Sequence, residues 1–285
     1  MSAISDLQVQ EIQQAARQIR KDSIWMSTRA GCGHLAPALS VADIVATLYK
    51  GVMRHRPHQP DWPERDRFIL SKGHGCLALY SILAQTGYFD RRLLSEFCSR
   101  YDTPLAGHPE RKLPGVEANT GSLGHGIALG MGMALGARLD GRRYRVFVLT
   151  GDGELQEGSN WEAAMSAARY GLDNLVVIVD RNRLQLGGFT EEIGRLEPLA
   201  DKWAAFGWST KVVDGHDVAA LWEALREIPR EEGKPTAVIA HTVKGKGLPI
   251  AENKVEWHYK VLTVEQYEAL KKELQLGELY DDYPA

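Results

Sequence analysis

The strongest constraint on the fold is the stretch 145–182, which alternates strand, helix and strand patterns. Residues 145–149 form an apolar strand pattern that ends at Gly151-Asp152-Gly153. Residues 158–170 carry apolar side chains at helical spacing, and the β-branched run 174–179 ends at Asp180-Arg181-Asn182. Because a helix connects the two strands, they run parallel in one sheet. We therefore predict an α/β fold, doubly wound, with a mostly parallel sheet and helices on both faces.

Further patterns extend this unit over most of the chain. Ser5 begins an amphipathic helix, Phe68-Ile69-Leu70 and residues 237–240 are typical of buried strands, and residues 123–139 are typical of a helix rich in small residues. Thr263-Val264-Glu265-Gln266 is a capping box that begins a final helix. Without an internal repeat or linker, we expect one domain over residues 1–285 with a C-terminal helical extension. Residues 281–285 are interpreted as its natural end.

The bulk composition argues against several classes of protein. The net charge is −3 and the pI about 6.3, which gives no basic surface for nucleic acid. The polar start, residues 1–20, lacks the apolar segment of a signal peptide, and the most apolar stretch, 127–137, is too short to span a bilayer. The three cysteines match no zinc pattern, and their odd number argues against a disulfide framework. We expect a soluble, cytoplasmic protein without nucleic-acid or membrane partners.

Oxygen-bearing side chains come directly after both strands of the central unit. Asp152 follows the first strand and Asn182 the second, and ligands of open parallel sheets bind beyond such carboxyl ends. Carboxylate and amide oxygens suit Mg²⁺ or Ca²⁺, which complete their shell with water and phosphate oxygens. Gly151 and Gly153 let the backbone approach a ligand. The pattern predicts a phosphorylated ligand bridged by a metal, although Asp-Gly is also a common turn.

Histidines and a glycine-rich segment suggest a polar site built from loops. The histidines that neighbour a glycine are His34, His74, His108, His125 and His216. Imidazole exchanges protons near neutral pH, which suits chemistry on sugar hydroxyls, although a single His-Gly pair is usually a loop. Gly121-Ser122-Leu123-Gly124 precedes the small-residue helix and can offer amides to an anion. Lys244 either offers an ammonium to phosphate or lies in a solvated basic loop.

Taken in order, these segments resemble the transketolase family. Residues 151–158, Gly-Asp-Gly-Glu-Leu-Gln-Glu-Gly, with Asn160-Trp161-Glu162-Ala163-Ala164, are similar to the start of that family's thiamine diphosphate motif, and Asn182 is similar to its end. The other similar stretches are Cys32-Gly33-His34, Leu39-Ser40-Val41-Ala42-Asp43-Ile44, Leu70-Ser71-Lys72-Gly73-His74-Gly75, Gly107-His108-Pro109-Glu110, Gly121-Ser122-Leu123-Gly124-His125-Gly126, Lys244-Gly245-Lys246-Gly247, Glu252-Asn253 and Trp257-His258. They span residues 28–260, which is most of the chain.

The resemblance implies cofactors and residue roles. The cofactors are thiamine diphosphate and Mg²⁺, with Ca²⁺ or Mn²⁺ as substitutes, and the metal ligands are Asp152, Asn182 and the carbonyl of Leu184. The implied cofactor-binding residues are His74, Gly121, Ser122, Leu123, Asp152, Gly153, Glu154, Asn182, Lys244 and His258. The implied catalytic residues are His34, His74, His108, Glu157 and His258. Of these, His34 and His108 would hold sugar hydroxyl and carbonyl groups, and Glu157 would join a proton relay between paired active sites.

The resemblance also implies that this chain is half of an enzyme. A whole transketolase carries, in a second domain, the glutamate that activates the aminopyrimidine ring. We therefore predict the N-terminal subunit of a split transketolase, which needs a companion C-terminal subunit and forms a heterotetramer that acts on sugar phosphates. The alternatives are a related thiamine diphosphate synthase, a 2-oxo acid dehydrogenase component or a non-catalytic cofactor-binding subunit. Leu35, His125 and Tyr259 depart from the family pattern, and we expect Leu35 and Tyr259 near the pocket. The ketose donor, the aldose acceptor and the pathway stay open.

Overall fold

The computed structural model describes residues 4–281, and its main sheet has five parallel strands. The strands of the chain are β1 (Arg67–Leu70), β2 (Val146–Gly151), β3 (Leu175–Arg181), β4 (Leu184–Gln185), β5 (Gly188–Phe189), β6 (Ser209–Asp214) and β7 (Thr236–His241). The main sheet has the order β1-β2-β3-β7-β6, and β4 and β5 form a separate antiparallel pair. The predicted apolar runs thus form β1, β2, β3 and β7, whereas β6 is not predicted by its sequence pattern.

Ten α-helices are found in the described part of the chain. They are α1 (Asp6–Ala30), α2 (Leu35–Ser40), α3 (Ala42–Thr47), α4 (Cys76–Thr86), α5 (Gly126–Leu139), α6 (Gly158–Arg169), α7 (Thr190–Ile193), α8 (Leu199–Ala205), α9 (Val218–Arg226) and α10 (Val264–Leu274). As predicted, Ser5 is the N-cap of α1 and a capping box begins α10 at Thr263; Ser5 also forms a capping box with Gln8. A π-helix (Leu48–Val52) and 3₁₀ helices (Gly73–Gly75, Arg91–Glu96, Gly153–Gln156, Val255–Trp257) complete the helical segments.

The helices cover both faces of the sheet. Successive side chains of β2 point to opposite faces, so Phe147 joins the core under α1 to α4, and Val148 joins the core under α5, α6 and α8. This arrangement confirms the predicted doubly wound α/β fold. The division into domains stays a prediction, and residues 282–285 of the expected chain end lie outside the described residues. Within residues 4–281, no helix is both long and apolar enough to cross a membrane.

The parallel strands place several loops at one edge of the sheet. The segments that follow β1, β2, β3 and β7 all leave from their carboxyl ends. Each of these segments contains a predicted site residue, namely His74, Asp152, Asn182 and Lys244. The fold therefore brings together residues that are up to 170 positions apart in the sequence.

Candidate functional site

A cavity of about 480 Å³ lies at the carboxyl edge of the sheet. Its lining residues are His34, Lys72, His74, His108, Gly121, Leu123, Gly151, Asp152, Gly153, Glu154, Gln156, Glu157, Asn182, Leu184, Gln185, Leu186, Lys244 and His258. Every predicted catalytic and metal-binding residue is among them, and so is every predicted cofactor-binding residue except Ser122. A larger groove, of about 1170 Å³, is lined by Arg54, Arg145 and other arginines near the amino ends of the strands and contains none of the predicted residues.

Three oxygen atoms predicted to bind the metal line this cavity. Asp152 is buried, and its carboxylate accepts hydrogen bonds from the amides of Gly153 (2.8 Å) and Arg183 (2.5 Å) and from the Arg181 guanidinium (3.0 Å). The side-chain oxygen of Asn182 accepts from the amide of Leu184 (3.0 Å). Burial raises the pKa of Asp152, and the neighbouring Asp180 raises it further. A cation beside Asp152 would stabilise the ionised carboxylate.

A buried network orients the amide of Asn182. Its nitrogen donates to the Asp180 carboxylate at 2.8 Å, which also accepts from Lys72 (2.6 Å), Ser40 (2.8 Å) and Thr242. Burial alone would raise the pKa of Asp180, but the Lys72 ammonium and these hydrogen bonds lower it below its usual value. Since Asp180 holds the amide nitrogen, the Asn182 oxygen points away from Asp180; it accepts from the amide of Leu184 and has a second lone pair for a ligand.

The donor set fits a hard divalent cation. The Gln185 side-chain oxygen is buried at the cavity without a hydrogen-bond partner among residues 4–281. A Cβ at Gly153 would lie 2.9 Å from the Gln185 Cβ, so only glycine allows this close packing. No three His, Cys, Asp or Glu side chains in the described ranges form a metal cluster. An ion here would therefore bind the oxygens of Asp152, Asn182 and Leu184 and complete its shell with ligand oxygens.

Four histidine rings cluster in the same cavity. The ring of His34 lies 5.2 Å from His74, 5.6 Å from His258 and 6.0 Å from His108, measured between centroids. Burial, helped by the nearby cations, lowers the pKa of His34 to about 4 and that of His258 to about 3. The pKa values of His74 and His108 are also lowered by burial. All four rings are neutral near pH 7 and can each donate and accept a hydrogen bond.

Lys244 links one predicted metal ligand, the Leu184 carbonyl, to the histidine cluster. Its ammonium donates to the Leu184 carbonyl and contacts Nδ1 of His258, both at 2.8 Å. Burial, and then the charge of Lys72, lower the pKa of Lys244 to about 7. Because the side chain is only 2% exposed, the alternative of a solvated basic loop is wrong for this residue.

Glu154 fixes the glycine-rich loop from inside. Its buried carboxylate accepts hydrogen bonds from the hydroxyl of Ser71 and from the amides of Gly124 and Gly151, the latter two at 3.0 Å. Burial raises its pKa above the usual value. Within the same loop, a Cβ at Gly121 would lie 2.8 Å from Cδ2 of His108. Glu154 thus holds three loop segments together, and its carboxylate is not free for a ligand.

Two of the five glycine-flanked histidines lie outside the site, so their predicted membership is wrong. His125 is exposed, contacts the carbonyl of Leu123 through Nδ1 (3.0 Å), and lines a separate surface depression together with Ser122. His216 contacts the Asp43 carboxylate (2.7 Å) and the amide of Val243 (2.8 Å). Its position next to a glycine reflects a loop contact that braces the segment before Lys244.

Neither of the two departures expected near the pocket lines the cavity, but both adjoin His34, which does. Leu35 follows His34 in the sequence and is fully buried in the core at the start of α2. Tyr259 is 60% exposed, and its ring centroid lies 4.5 Å from that of His34. Leu186 lines the cavity and is also exposed. Tyr259 is therefore the departure positioned to affect substrate access.

Comparison with known proteins identifies the family. The family profile described as "Transketolase, thiamine diphosphate binding domain" matches residues 10–280. The chain belongs to the transketolase family. Among its relatives are a subunit of the apulose-4-phosphate transketolase of Phocaeicola vulgatus (41% identical, 94% of this chain and 95% of that protein) and the 6-deoxy-6-sulfo-D-fructose transketolase subunit SqwG of Clostridium sp. (42% identical, 93% and 96%).

Solved transketolases share the fold of this family member. The crystal structure of the Campylobacter jejuni transketolase aligns with a TM-score of 0.88 at 30% identity, over 96% of this chain and 44% of that one. Human transketolase is 39% identical over 93% of this chain and 42% of its own length. The chain therefore spans less than half of these longer transketolases, whereas it spans nearly all of the two subunit relatives.

Sequence reasoning about this transketolase-family chain missed part of the site. Lys72, Asp180, Gln185 and Leu186 were assigned no role from the sequence, although all but Asp180 line the cavity. The sequence does contain one indication of a role for Asp180, since this charged residue directly follows the apolar run 175–179 and still lies within β3. A charge inside a buried strand requires partners, and here the partners include Asn182.

Proposed function

We propose that this chain is the N-terminal, diphosphate-binding subunit of a transketolase that moves a two-carbon ketol unit from a ketose phosphate to an aldose phosphate. The observation that carries the proposal is length: the chain covers 95–96% of two relatives named as transketolase subunits but 44% of a solved transketolase. A companion C-terminal subunit would supply the missing half. The family match favours this activity over the synthase, dehydrogenase and non-catalytic alternatives. The cytoplasmic location stays a prediction from the sequence.

The cavity supports binding of thiamine diphosphate with Mg²⁺, or with Ca²⁺ or Mn²⁺ in its place. Asp152, Asn182 and the Leu184 carbonyl would hold the metal. The groups proposed around the diphosphate are Gly153, His74, Lys244 and His258, and the segment Gly121-Ser122-Leu123 would cover the rings of the cofactor. Glu154, predicted as a cofactor contact, would act by holding this segment. When bound, thiamine diphosphate supplies an electron sink for breaking and forming a carbon–carbon bond.

The histidines would orient the sugar. His34 and His108 line the cavity and are neutral at pH 7, so each can donate to a carbonyl or alkoxide oxygen. The rings of His74 and His258 lie 5.4 Å apart, and His258 contacts Lys244, so the two rings could pass a proton to or from a sugar hydroxyl near the proposed diphosphate position. Their low pKa values favour hydrogen bonding over permanent charge, which keeps them compatible with the Lys244 ammonium.

Self-association would place two sites near each other. Helix α5 has an exposed face with Leu129 and Leu139, and the open positions Gly132 and Gly136 lie between them at helical spacing. Glu157 is exposed beside this helix at the start of α6. Two copies that meet along α5 would bury the apolar face and bring the two Glu157 side chains toward a shared proton relay. With companions, the assembly would be a heterotetramer.

Mixing experiments test the need for a companion. We expect no ketol transfer from a ketose phosphate by this chain alone, and robust transfer after the companion chain is added. Light scattering is expected to give two copies of each chain, and Gly132→Glu should reduce this mass, whereas Lys211→Glu, at an exposed position of β6, should not. Robust turnover by the isolated chain, or carbon dioxide release from pyruvate without ketol transfer, would contradict the proposal.

Calorimetry of the mixed subunits tests the metal site. Asp152→Asn removes the charge of one proposed ligand while keeping its shape, so thiamine diphosphate binding should become undetectable at concentrations that saturate wild type. Asp201→Asn, at an exposed position of α8, is the matched control and should bind normally. Chelation of divalent ions should abolish binding, and Mg²⁺, Ca²⁺ or Mn²⁺ should restore it. Normal affinity in Asp152→Asn would refute the assignment.

A further inference from the structure

Two thiols that take no part in the proposed chemistry are in contact with each other. The thiols of Cys32 and Cys98 interact closely enough that each shifts the pKa of the other, and both are half-buried against the larger core. The residues next to them in the sequence, Gly33 and Phe97, also lie close together: a Cβ built on Gly33 would lie 3.3 Å from ring atoms of Phe97. The loop before α2 and the segment after the 3₁₀ helix 91–96 thus pack together where the two sulfurs meet.

Both cysteines belong to segments that carry sugar-side histidines. Cys32 precedes His34 by two residues. The amide of Cys98 donates to the Leu105 carbonyl at 2.9 Å, and its sulfur lies 3.8 Å from the position of a Cβ on Gly107, the residue before His108. If either sulfur moves, the movement can therefore be passed to His34 or His108, because Cys32 is two residues from His34 and Cys98 contacts the residue before His108.

The surroundings give the three cysteines different reactivities. The interaction with Cys98 lowers the pKa of Cys32 to about 7, against the opposing effect of burial, and this favours the reactive thiolate. The same contact and burial raise the pKa of Cys98. Cys76 is fully buried, lies 3.2 Å from the Gly107 carbonyl, and has its pKa raised by burial to about 12. Cys32 can therefore attack an oxidant, Cys98 can resolve the product, and Cys76 is inert.

We propose that Cys32 and Cys98 form a reversible disulfide when the protein meets a hydroperoxide, and that this bond is a redox modification site beside the sugar-binding histidines. In the first step the Cys32 sulfur attacks the peroxide oxygen, the O–O bond breaks, and a sulfenic acid and one water or alcohol result. In the second step the Cys98 sulfur attacks the Cys32 sulfur, and the hydroxyl leaves with the Cys98 proton as water. Two thiols are oxidised, and one hydroperoxide is reduced.

The bond would disturb the substrate side of the cavity. A disulfide holds two sulfurs closer than a hydrogen bond does, so the segments of His34 and His108 must shift toward each other. Small displacements of positioning groups cost large factors in rate, and we expect kcat/KM for the ketose donor to fall about tenfold or more. This consequence rests on the proposed function, whereas formation of the disulfide does not.

Mass spectrometry and thiol titration of the full chain test the modification itself. After hydrogen peroxide treatment, wild type should lose two hydrogens and retain one of its three titratable thiols, and a peptide containing Cys32 joined to Cys98 should appear. A thiol reductant should restore all three. Cys76→Ser should form the same cross-link, whereas Cys32→Ser and Cys98→Ser should form none. Three remaining thiols in wild type, or a cross-link that includes Cys76, would overturn the proposal.

Activity of the complex with its companion tests the consequence. Peroxide should lower kcat/KM in wild type and Cys76→Ser, reductant should restore it, and Cys98→Ser should keep its activity under the same treatment. An oxidised wild type with confirmed cross-link and unchanged kcat/KM would refute the link to the histidines while leaving the disulfide in place. Absence of ketol transfer in fully reduced wild type would instead be a failure of the proposed function, which separates the two conclusions.

Discussion

Glu154→Gln is expected to destabilise the protein, because no amide can satisfy the site that this carboxylate satisfies. The wild-type oxygens accept from two backbone amides, those of Gly124 and Gly151, and from the Ser71 hydroxyl. Glutamine keeps one oxygen, so one backbone amide would face an NH₂ group, and a donor would be left without an acceptor. Removing a charged acceptor so that a buried donor is left unsatisfied costs about 1–3 kcal/mol.

An opposing effect reduces this loss. Burial raises the pKa of Glu154, which means that the ionised carboxylate is itself penalised in the folded state, and glutamine escapes that penalty. We expect the hydrogen-bond loss to dominate and leave a net decrease of about 2 kcal/mol in the free energy of unfolding. For a chain of this size, that corresponds to a melting temperature lower by about 3 °C.

Thermal and urea denaturation at neutral pH provide the assay. Glu162→Gln, which removes an exposed carboxylate from α6 in the same part of the chain, is the matched control and should melt like wild type. Thiamine diphosphate affinity of the assembled enzyme should also weaken in Glu154→Gln, because the loop that Glu154 holds would be less ordered. A melting temperature equal to that of Glu162→Gln would refute the view that this carboxylate braces the loop.

Three further changes test other parts of the site. Gly121→Ala places a Cβ 2.8 Å from Cδ2 of His108, at a backbone φ of 146°, so His108 must move. We therefore expect KM for the ketose donor to rise about tenfold. An unchanged KM would contradict the view that this contact positions His108. Because burial lowers the pKa of His34 from 6.5 to about 4, protonation favours the unfolded state, and the free energy of unfolding should fall as pH decreases from 6.5 toward 4. His34→Asn should flatten that decrease in urea titrations, and an identical slope would count against the assignment. Tyr259→Gly removes the ring that lies 4.5 Å from His34 and so opens space beside it. We expect kcat/KM for a branched ketose to rise relative to kcat/KM for a linear one. A ratio equal to that of wild type would show that Tyr259 does not restrict access.

The central sheet could be predicted because its strands are buried on both faces. β2 and β3 read as continuous apolar runs, which is the pattern of parallel strands covered by helices. β6 escapes this rule because Lys211 and Val212 are exposed at its edge of the sheet, whereas the other edge strand, β1, is buried over residues 68–70. The sequence of β6 therefore lacks the apolar run that identifies the others.

The candidate site could be predicted only where residue type and strand ends coincide. Asp152 and Asn182 follow strands, so sheet topology alone brings them to one edge. The histidines offered no such constraint, and adjacency to glycine did not distinguish His34, which lines the cavity, from His216, which pairs with Asp43. Contacts between distant loops decide that difference, and a single sequence does not encode them in any local pattern.

The end of β3 has a consequence for how this sequence can vary. Asp180 and Asn182 turn toward Lys72 on one face of the sheet, while Arg181 between them reaches Asp152 and Glu197 on the other. Insertion or deletion of one residue within β3 would leave the ladder of backbone hydrogen bonds intact but exchange the two sets of side chains. The guanidinium would then meet an ammonium, and two carboxylates would face each other. Surface loops tolerate the insertion or deletion of a residue, but β3 does not, even in a variant whose sheet would still form.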